Sequence, residues 1–325
     1  TPNYDGKAAG GVNTAFFIYN NDLYTFIGQK VYRFNYAKNE FVFCLTLPDS
    51  DGNIRFARAY MGKLWIFVNN SGLYKIDMST FKIEDHYTLL TDYEGNSLRT
   101  FYIDKKGYIW FGTIDGIYIF DPTDGKLSHY KHSRTDPFSL PNNSIWEISE
   151  DRQSNVWIGT YSGTLCYVNI DENNAFKTYH PQNSGLNHTP VSAFAEDQQY
   201  LWVGTEGGGI NRMNKATGEF SYITSANSIT SNNIKSLITD AGHNLWISTF
   251  MGGLDLYNVG RQKVTNFKHT KGAPHSLLVN DVRKTILEGD SGMWVAYQYQ
   301  KAEVSYFSFR EESFTHFSLD SISNI

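Results

Sequence analysis

Histidine, carboxylate and nucleophilic side chains are the residues of this 325-residue sequence that could bind a metal or catalyse a reaction. Of its nine histidines, His132, His180 and His269 recur at equivalent positions of a repeated unit. Equivalent positions of a repeat are spread over the molecule, whereas metal ligands must converge on one point. We therefore expect structural or solvent-facing histidines, with no metal and no cofactor.

The carboxylates and hydroxyls form no catalytic motif. There is no Gly-x-Ser-x-Gly element of a nucleophilic serine, and Glu311 and Glu312 are chain neighbours that point apart on a strand. A glycosidase needs two carboxylates roughly 5–10 Å apart on one groove, and Asp115 with Glu206 is the pair to examine. Other acids recur in predicted turns, which they are expected to cap: Asp104, Glu150-Asp151, Glu196-Asp197 and Asp240.

A repeat of about 45 residues organises the whole chain. Each copy contains a short apolar strand built around one aromatic residue, usually followed by Gly or Ser. We expect the aromatic ring to fill the space between neighbouring units and the small residue to allow their close approach. The seven aromatic positions are Tyr24, Trp65, Trp110, Trp157, Trp202, Trp246 and Trp294.

Each copy reads as four short strands joined by tight turns, with a Gly-rich turn after the aromatic strand. Four-stranded units at this period are typical of propeller blades, and helical 3.6-residue periodicity is missing. The sequence therefore predicts an all-β fold, a seven-bladed β-propeller of four-stranded antiparallel blades, as a single domain over residues 1–325. The predicted blades are about 11–50, 51–95, 96–140, 141–185, 186–228, 229–274 and 275–320.

Composition narrows the function classes. The net charge is −5, from 28 basic and 33 acidic residues without a basic block, so nucleic acid is not an expected partner. No apolar run is long enough to span a membrane, so we expect no membrane contact by this segment. Cys44 and Cys166 fall in different predicted blades, and we expect both to stay free because a disulfide requires close Cα atoms.

Two motifs carry a family resemblance. The segment Leu201-Trp-Val-Gly-Thr-Glu-Gly-Gly-Gly-Ile-Asn-Arg-Met-Asn214 and the inter-blade linkers at 136–145, 227–234 and 275–282 resemble the two-component regulator propeller repeat. That resemblance implies the periplasmic sensor region of an inner-membrane hybrid histidine kinase of the Bacteroides type, which responds to oligosaccharides. It also implies a second propeller, a β-sandwich and a kinase domain elsewhere in the receptor, and a homodimer at full length.

The candidate ligand site lies on the turns after the aromatic strands and on one inter-blade connection, which share one face of a propeller. These positions vary while the strands repeat. Aromatic rings beside amide, carboxylate and guanidinium groups are suited to sugars, whose C–H faces stack on rings while their hydroxyls form hydrogen bonds. The candidate residues are Asn70, Asp115, Arg134, Asn143, Tyr161, Glu206, Phe250 and Tyr299.

Three functions stay open at this point. The first is a non-enzymatic sensor propeller that recognises an oligosaccharide or docks to a second propeller. The second is a propeller enzyme acting on polysaccharide, a lyase or glycosidase, because fold does not fix function. The third is a pure protein-interaction scaffold.

Overall fold

The strands of the protein form seven separate four-stranded antiparallel sheets, each with its strands in chain order. The computed structural model describes residues 16–20, 22–48, 54–91, 98–136, 138–161, 164–170, 176–179, 181–297 and 303–318, and it contains no helix in these ranges. Tyr299 and His180 lie outside the described residues.

The first three blades comprise β1 (Phe16–Tyr19), β2 (Asp22–Ile27), β3 (Lys30–Asn35), β4 (Glu40–Thr46), β5 (Ile54–Tyr60), β6 (Lys63–Val68), β7 (Gly72–Asp77), β8 (Ile83–Tyr87), β9 (Thr100–Ile103), β10 (Ile109–Thr113), β11 (Gly116–Asp121) and β12 (Lys126–Tyr130). Blades four and five comprise β13 (Ile145–Glu150), β14 (Asn155–Thr160), β15 (Leu165–Asn169), β16 (Lys177–Tyr179), β17 (Val191–Glu196), β18 (Tyr200–Thr205), β19 (Gly209–Asn214) and β20 (Phe220–Ile223). Blades six and seven comprise β21 (Ile234–Thr239), β22 (Leu245–Thr249), β23 (Gly253–Asn258), β24 (Lys263–Phe267), β25 (Val282–Glu288), β26 (Gly292–Tyr297), β27 (Glu303–Ser308) and β28 (Ser313–Ser318).

The first strands of neighbouring blades contact one another in a closed circle. The order is β1, β5, β9, β13, β17, β21 and β25, and β25 contacts β1 again. At this junction Trp294 of the last blade packs edge-on against Phe34 of the first, with ring centroids 5.2 Å apart. The first strands therefore surround a central channel, and the predicted seven-bladed propeller is confirmed.

Tryptophans of the second strands fill the space between blades, as predicted. Trp202 and Trp246, on β18 and β22, are both buried, and each belongs to an apolar cluster shared with the following blade. Trp65 and Trp110 pack in the same way against blades three and four. Burying such rings in a shared interface joins neighbouring sheets that have no backbone ladder between them.

The recurring acids of the first turns bind these tryptophans. Besides accepting backbone N–H groups of its own turn, each Asp accepts the indole N–H of its blade. The pairs are Asp104 with Trp110 at 2.8 Å, Asp151 with Trp157 at 2.7 Å, Asp197 with Trp202 at 3.0 Å, and Asp240 with Trp246 at 3.0 Å. Burial raises the pKa of Asp104, and its hydrogen bonds to Trp110 and the turn oppose that shift. Turn capping is confirmed for these four Asp residues, and the bond to the indole is an additional role. The prediction is wrong for Glu150 and Glu196, which accept the backbone N–H groups of Lys105 and Arg152 in the preceding blades.

Glycines after the tryptophans permit the predicted close approach of the next blade. A Cβ atom placed on Gly159 would lie 2.8 Å from Val191 Cγ1 and 2.9 Å from the Val191 carbonyl oxygen. A Cβ atom on Gly204 would lie 2.7 Å from Ile234 Cγ2. Neither glycine has a positive φ, so the requirement is space and not backbone conformation.

Adding one methyl group at the interface between two blades should lower the stability of the propeller. Gly159→Ala is expected to lower the free energy of unfolding by about 1–3 kcal/mol, because the new Cβ meets backbone as well as side-chain atoms of the next blade. Gly260→Ala is the matched control, since the nearest atom there would be 3.8 Å from the Cβ. Urea unfolding of the two variants should give clearly different midpoints, and equal midpoints would contradict the packing explanation.

The two cysteines lie in different blades, Cys44 on β4 and Cys166 on β15, and both are free thiols. Burial raises the pKa of the Cys44 thiol to about 11 and that of Cys166 further. Both side chains therefore remain protonated and unreactive near neutral pH.

Candidate functional site

Turns between second and third strands share one face with the connections between blades. Backbone hydrogen bonds join them: Tyr161 N–H to the Ser144 oxygen at 2.8 Å, Glu206 N–H to the Pro190 oxygen at 2.9 Å, and Phe250 N–H to the Asn233 oxygen at 3.0 Å. We call this surface the loop face. The first strands begin at it, so it contains the mouth of the central channel.

Four candidate residues lie in the turns and connections that form the loop face. Asp115 forms an ion pair with Lys131 at 2.6 Å, both partners being partly exposed. Asn143 Oδ1 accepts the backbone N–H of His132 at 2.6 Å. Arg134 is exposed in the connection before β13, and Asn70 occupies a left-handed turn position with φ 63° after β6.

The Asn143 contact explains the linker motif. Asn232 and Asn280 occupy equivalent linker positions, and their Oδ1 atoms accept the backbone N–H groups of Ser225 and His269, each at 2.7 Å. Their backbone oxygens in turn accept N–H groups of the neighbouring Gly-rich turns, such as Gly253 N–H at 2.9 Å. This repeated amide therefore fixes each connection to a turn of the loop face.

Tyr161 forms the centre of an aromatic platform on blade four. Its ring centroid lies 5.3 Å from that of Trp146, with an interplanar angle of 38°. The guanidinium carbon of Arg99 lies 4.8 Å from the Trp146 centroid and 5.5 Å from the Tyr161 centroid. Tyr161 is 52% exposed, so the platform presents a ring to solvent with a cation beside it.

Glu206 and Phe250 are brought together by a lysine. Lys235 Nζ donates a hydrogen bond to Glu206 Oε1 at 2.5 Å and lies 5.4 Å from the centre of the Phe250 ring. A pocket of about 330 Å³ adjoins this group and is lined by Phe250, Met251, Val279, Asn280 and Asp281. Glu206 and Phe250 thus contact the same lysine, next to a concave surface.

Sequence reasoning missed a set of residues at the channel mouth. β5, β13, β17, β21 and β25 each contain a β-bulge after their first residue. The bulge residue is the one residue of the first strand that has no partner in the register with the second strand. Arg99, just before β9, occupies the equivalent position in blade three. We call this set the bulge ring: Arg55, Arg99, Trp146, Ser192, Lys235 and Arg283.

Bulges re-aim side chains, and here they bring Trp146, Arg99 and Lys235 against the turns of the loop face. A sequence signal for the bulge ring exists in retrospect. Each member directly follows an apolar residue at the start of a first strand or just before it, as in Ile54-Arg55 and Leu98-Arg99.

The two acidic candidates of the loop face both lie in ion pairs. Asp115 and Glu206 each pair with their own lysine, Lys131 and Lys235. Within the described ranges, no group of three or more His, Cys, Asp and Glu side chains could hold a metal ion. Exposed rings, amides and paired charges can stack on a ligand and form hydrogen bonds with it.

The sequence model of the two-component regulator propeller family matches residues 92–115 and 139–162, the segments that contain the first and second strands of blades three and four. These repeats belong to the two-component regulator propeller family. The resemblance carried by the strand and linker motifs is confirmed, and the regulator propeller repeats build the aromatic platform, since Arg99, Trp146 and Tyr161 lie in the matched segments.

Three known proteins that this chain resembles are longer than it, and the chain covers less than half of each. Histidine kinase P4 of Formosa agariphila is 26% identical over 265 residues, which cover 75% of this chain and 18% of the kinase. PorZ, a surface component of the type-IX secretion system of Porphyromonas gingivalis, superposes with a TM-score of 0.62 at 14% identity, over 87% of this chain and 45% of PorZ. The latter likeness concerns the fold alone.

An extracellular domain of a putative hybrid two-component system from B. thetaiotaomicron is 22% identical and covers 93% of this chain and 45% of that domain, with a TM-score of 0.36. At this TM-score the superposition supports no argument about fold or function. In the part of the chain that the structure describes, no helix is long and apolar enough to cross a membrane.

Proposed function

We propose that this chain is a non-enzymatic sensor propeller of a bacterial two-component receptor and that its loop face recognises an oligosaccharide. The observation that carries the proposal is the platform of Trp146, Tyr161 and Arg99 at the channel mouth, formed by the repeats that match the regulator family. The similarity to Histidine kinase P4 of Formosa agariphila supports a role in two-component signalling.

The platform fits a sugar for physical reasons. A pyranose has apolar C–H faces that stack on aromatic rings and hydroxyl groups that require hydrogen-bond partners. Trp146 and Tyr161 offer neighbouring rings, and Glu206 with Lys235 offers an acceptor and a donor on the next blades. The pocket beside Phe250 adds a concave surface within the same loop face.

The proposal extends to the receptor as a whole. A sensor of this class lies in the periplasm, and a kinase domain, a second propeller and a β-sandwich complete it in the same polypeptide. The loop face can also dock to the second propeller, and the full-length receptor is proposed to be a homodimer. The family match and the much greater length of the kinase relative support this arrangement.

Thermal unfolding against a panel of oligosaccharides tests ligand recognition. A true ligand at 100 times its Kd should stabilise the chain by about 2.7 kcal/mol. Trp146→Ala and Tyr161→Ala should abolish that shift, because they remove the stacking surface. Tyr108→Ala is the matched control, since Tyr108 is a partly exposed aromatic in the turn between β9 and β10, on the opposite face.

The other two functions are distinguishable outcomes of this experiment. Release of shorter sugars, abolished by Asp115→Ala or Glu206→Ala, would establish an enzyme and overturn the proposal. Absence of any shift together with a concentration-dependent dimer would favour the interaction scaffold. Equal shifts in the platform variants and the parent chain would place the ligand elsewhere on the molecule.

A further inference from the structure

Positive charge is concentrated where the first strands begin. The bulge residue and the three that follow it, in the six blades where they are described, include Arg55, Arg58, Arg99, Lys235, Arg283 and Lys284. Glu147 is the one carboxylate at those described positions, although the whole chain has a net charge of −5. Such an accumulation of one sign inside a confined channel concentrates counter-ions of the other sign.

We propose that the channel mouth and the lumen behind it bind an anionic group, the carboxylate or sulfate of an acidic oligosaccharide. This inference names the ligand class of the proposed sensor and rests on that function. The anion enters from the loop face, next to the aromatic platform, so one sugar residue can stack while its acidic substituent reaches the arginines.

Charged side chains from opposite blades face one another across the lumen. Glu147 of blade four interacts electrostatically with Lys284 and Arg283 of blade seven and with Arg58 of blade two. Arg58 also lies over the Tyr102 ring of blade three, with its guanidinium carbon 4.5 Å from the ring centre. Glu147 and Asp281 are fewer than the cations they face, so an excess of positive charge remains in the lumen.

Two arginines have donors that the described protein does not use. Arg55 donates one hydrogen bond, from Nη2 to the Leu98 oxygen at 3.1 Å, but its buried Nε has no partner among the described residues. Arg99 Nη1 is likewise buried without a described partner. A buried N–H without an acceptor costs free energy, and a carboxylate or sulfate supplies two or three acceptor oxygens for such donors.

Repulsion between the cations also favours the binding of an anion. Arg55 and Arg283 lie on blades two and seven, and the pKa of Arg55 is lowered by its burial and then by the charge of Arg283. On the side of blades five to seven, Glu206 and Asp281 partly compensate Lys235 and Arg283. A bound anion would therefore be held mainly towards Arg55, Arg58 and Arg99.

The test uses the 325-residue chain and matched probes in calorimetric titrations. One pair is an oligogalacturonate and its methyl ester, which share a backbone and differ in charge; a second pair is a sulfated galactan oligomer and its desulfated form. At least one charged probe should bind at least 10-fold more tightly than its neutral partner. Raising NaCl from 50 to 300 mM should weaken that binding, because salt screens the attraction.

Variants assign the binding to the channel mouth. Arg55→Gln combined with Arg283→Gln should weaken the binding of the charged probe at least 30-fold, and thermal unfolding of the unliganded variant checks that the propeller is folded. Lys38→Gln and Arg310→Gln are controls, since both residues lie in turns between third and fourth strands on the opposite face. These controls should leave affinity unchanged.

The outcomes separate the two proposals. If charged and neutral probes bind equally and the arginine variants change nothing, the anion inference is overturned while sugar recognition stands. Inorganic sulfate that stabilises the parent but not the double variant, with no oligosaccharide bound, would support the anion site and overturn sugar recognition. Failure of every probe, sulfate included, overturns both, and the carboxylate and sulfate pairs identify which acidic group is recognised.

Discussion

Replacing Trp202 by alanine is expected to lower the free energy of unfolding by about 3–5 kcal/mol, the typical cost of removing a fully buried tryptophan. This ring is completely buried between blades five and six, where it packs with Leu245 and Ile247 and meets Tyr257 edge-on. The substitution leaves a cavity in the wall of a closed ring. It also leaves Asp197 without its indole partner.

Trp146→Ala is the matched comparison, because Trp146 is the same residue type in a half-buried position at the channel mouth. Its substitution should change the free energy of unfolding by about 1 kcal/mol or less. Chemical unfolding of both variants decides the matter. Similar losses of stability in the two variants would show that the second-strand tryptophans are not the main contacts between blades.

Asp151→Ala should have the second-largest effect and lower the free energy of unfolding by about 2–4 kcal/mol. Hydrogen bonds to a charged group contribute about 1.5–3 kcal/mol each, and the donors released by the substitution regain part of that free energy by other hydrogen bonds. Asp151 accepts four hydrogen bonds. Its Oδ1 accepts the backbone N–H groups of Gln153 and Asn155 at 2.9 Å each, and its Oδ2 accepts the Asn155 amide at 2.9 Å and the Trp157 indole at 2.7 Å.

Two further variants make the Asp151 result specific. Asp151→Asn keeps one acceptor oxygen and should fall between Asp151→Ala and the parent chain. Glu311→Ala removes an exposed acid from the turn between β27 and β28 and should change stability by less than about 0.5 kcal/mol. Thermal and urea unfolding measure all three, and an Asp151→Ala variant as stable as Glu311→Ala would refute a structural role for this carboxylate.

The fold could be predicted from the sequence because one interaction recurs. Each blade needs a large ring on its second strand to pack against the next blade, so the tryptophans mark the blades at nearly constant spacing. The small residue at Gly159 and Gly204 follows from the same contact. The bond between each turn Asp and its indole could not be predicted, since turn capping alone accounts for an Asp at that position.

The candidate site could be predicted only in part. Turn positions such as Tyr161, Glu206 and Phe250 were found because turns of one kind share a face. Trp146 and Lys235 were missed because a regular strand alternates its side chains, and the bulge shifts that alternation by one residue. Asn143 was selected as an exposed amide, whereas its oxygen accepts a backbone N–H of its own linker.

Hydrogen exchange measured by mass spectrometry, with and without an oligosaccharide that stabilises the chain, tests the central claim most directly. Our account predicts new protection in the segments around Arg99, Trp146, Tyr161 and Lys235, and none in the opposite-face turns around Tyr108 and Gln153. Protection confined to those opposite-face turns or to outer strands such as β8 and β24 would contradict it.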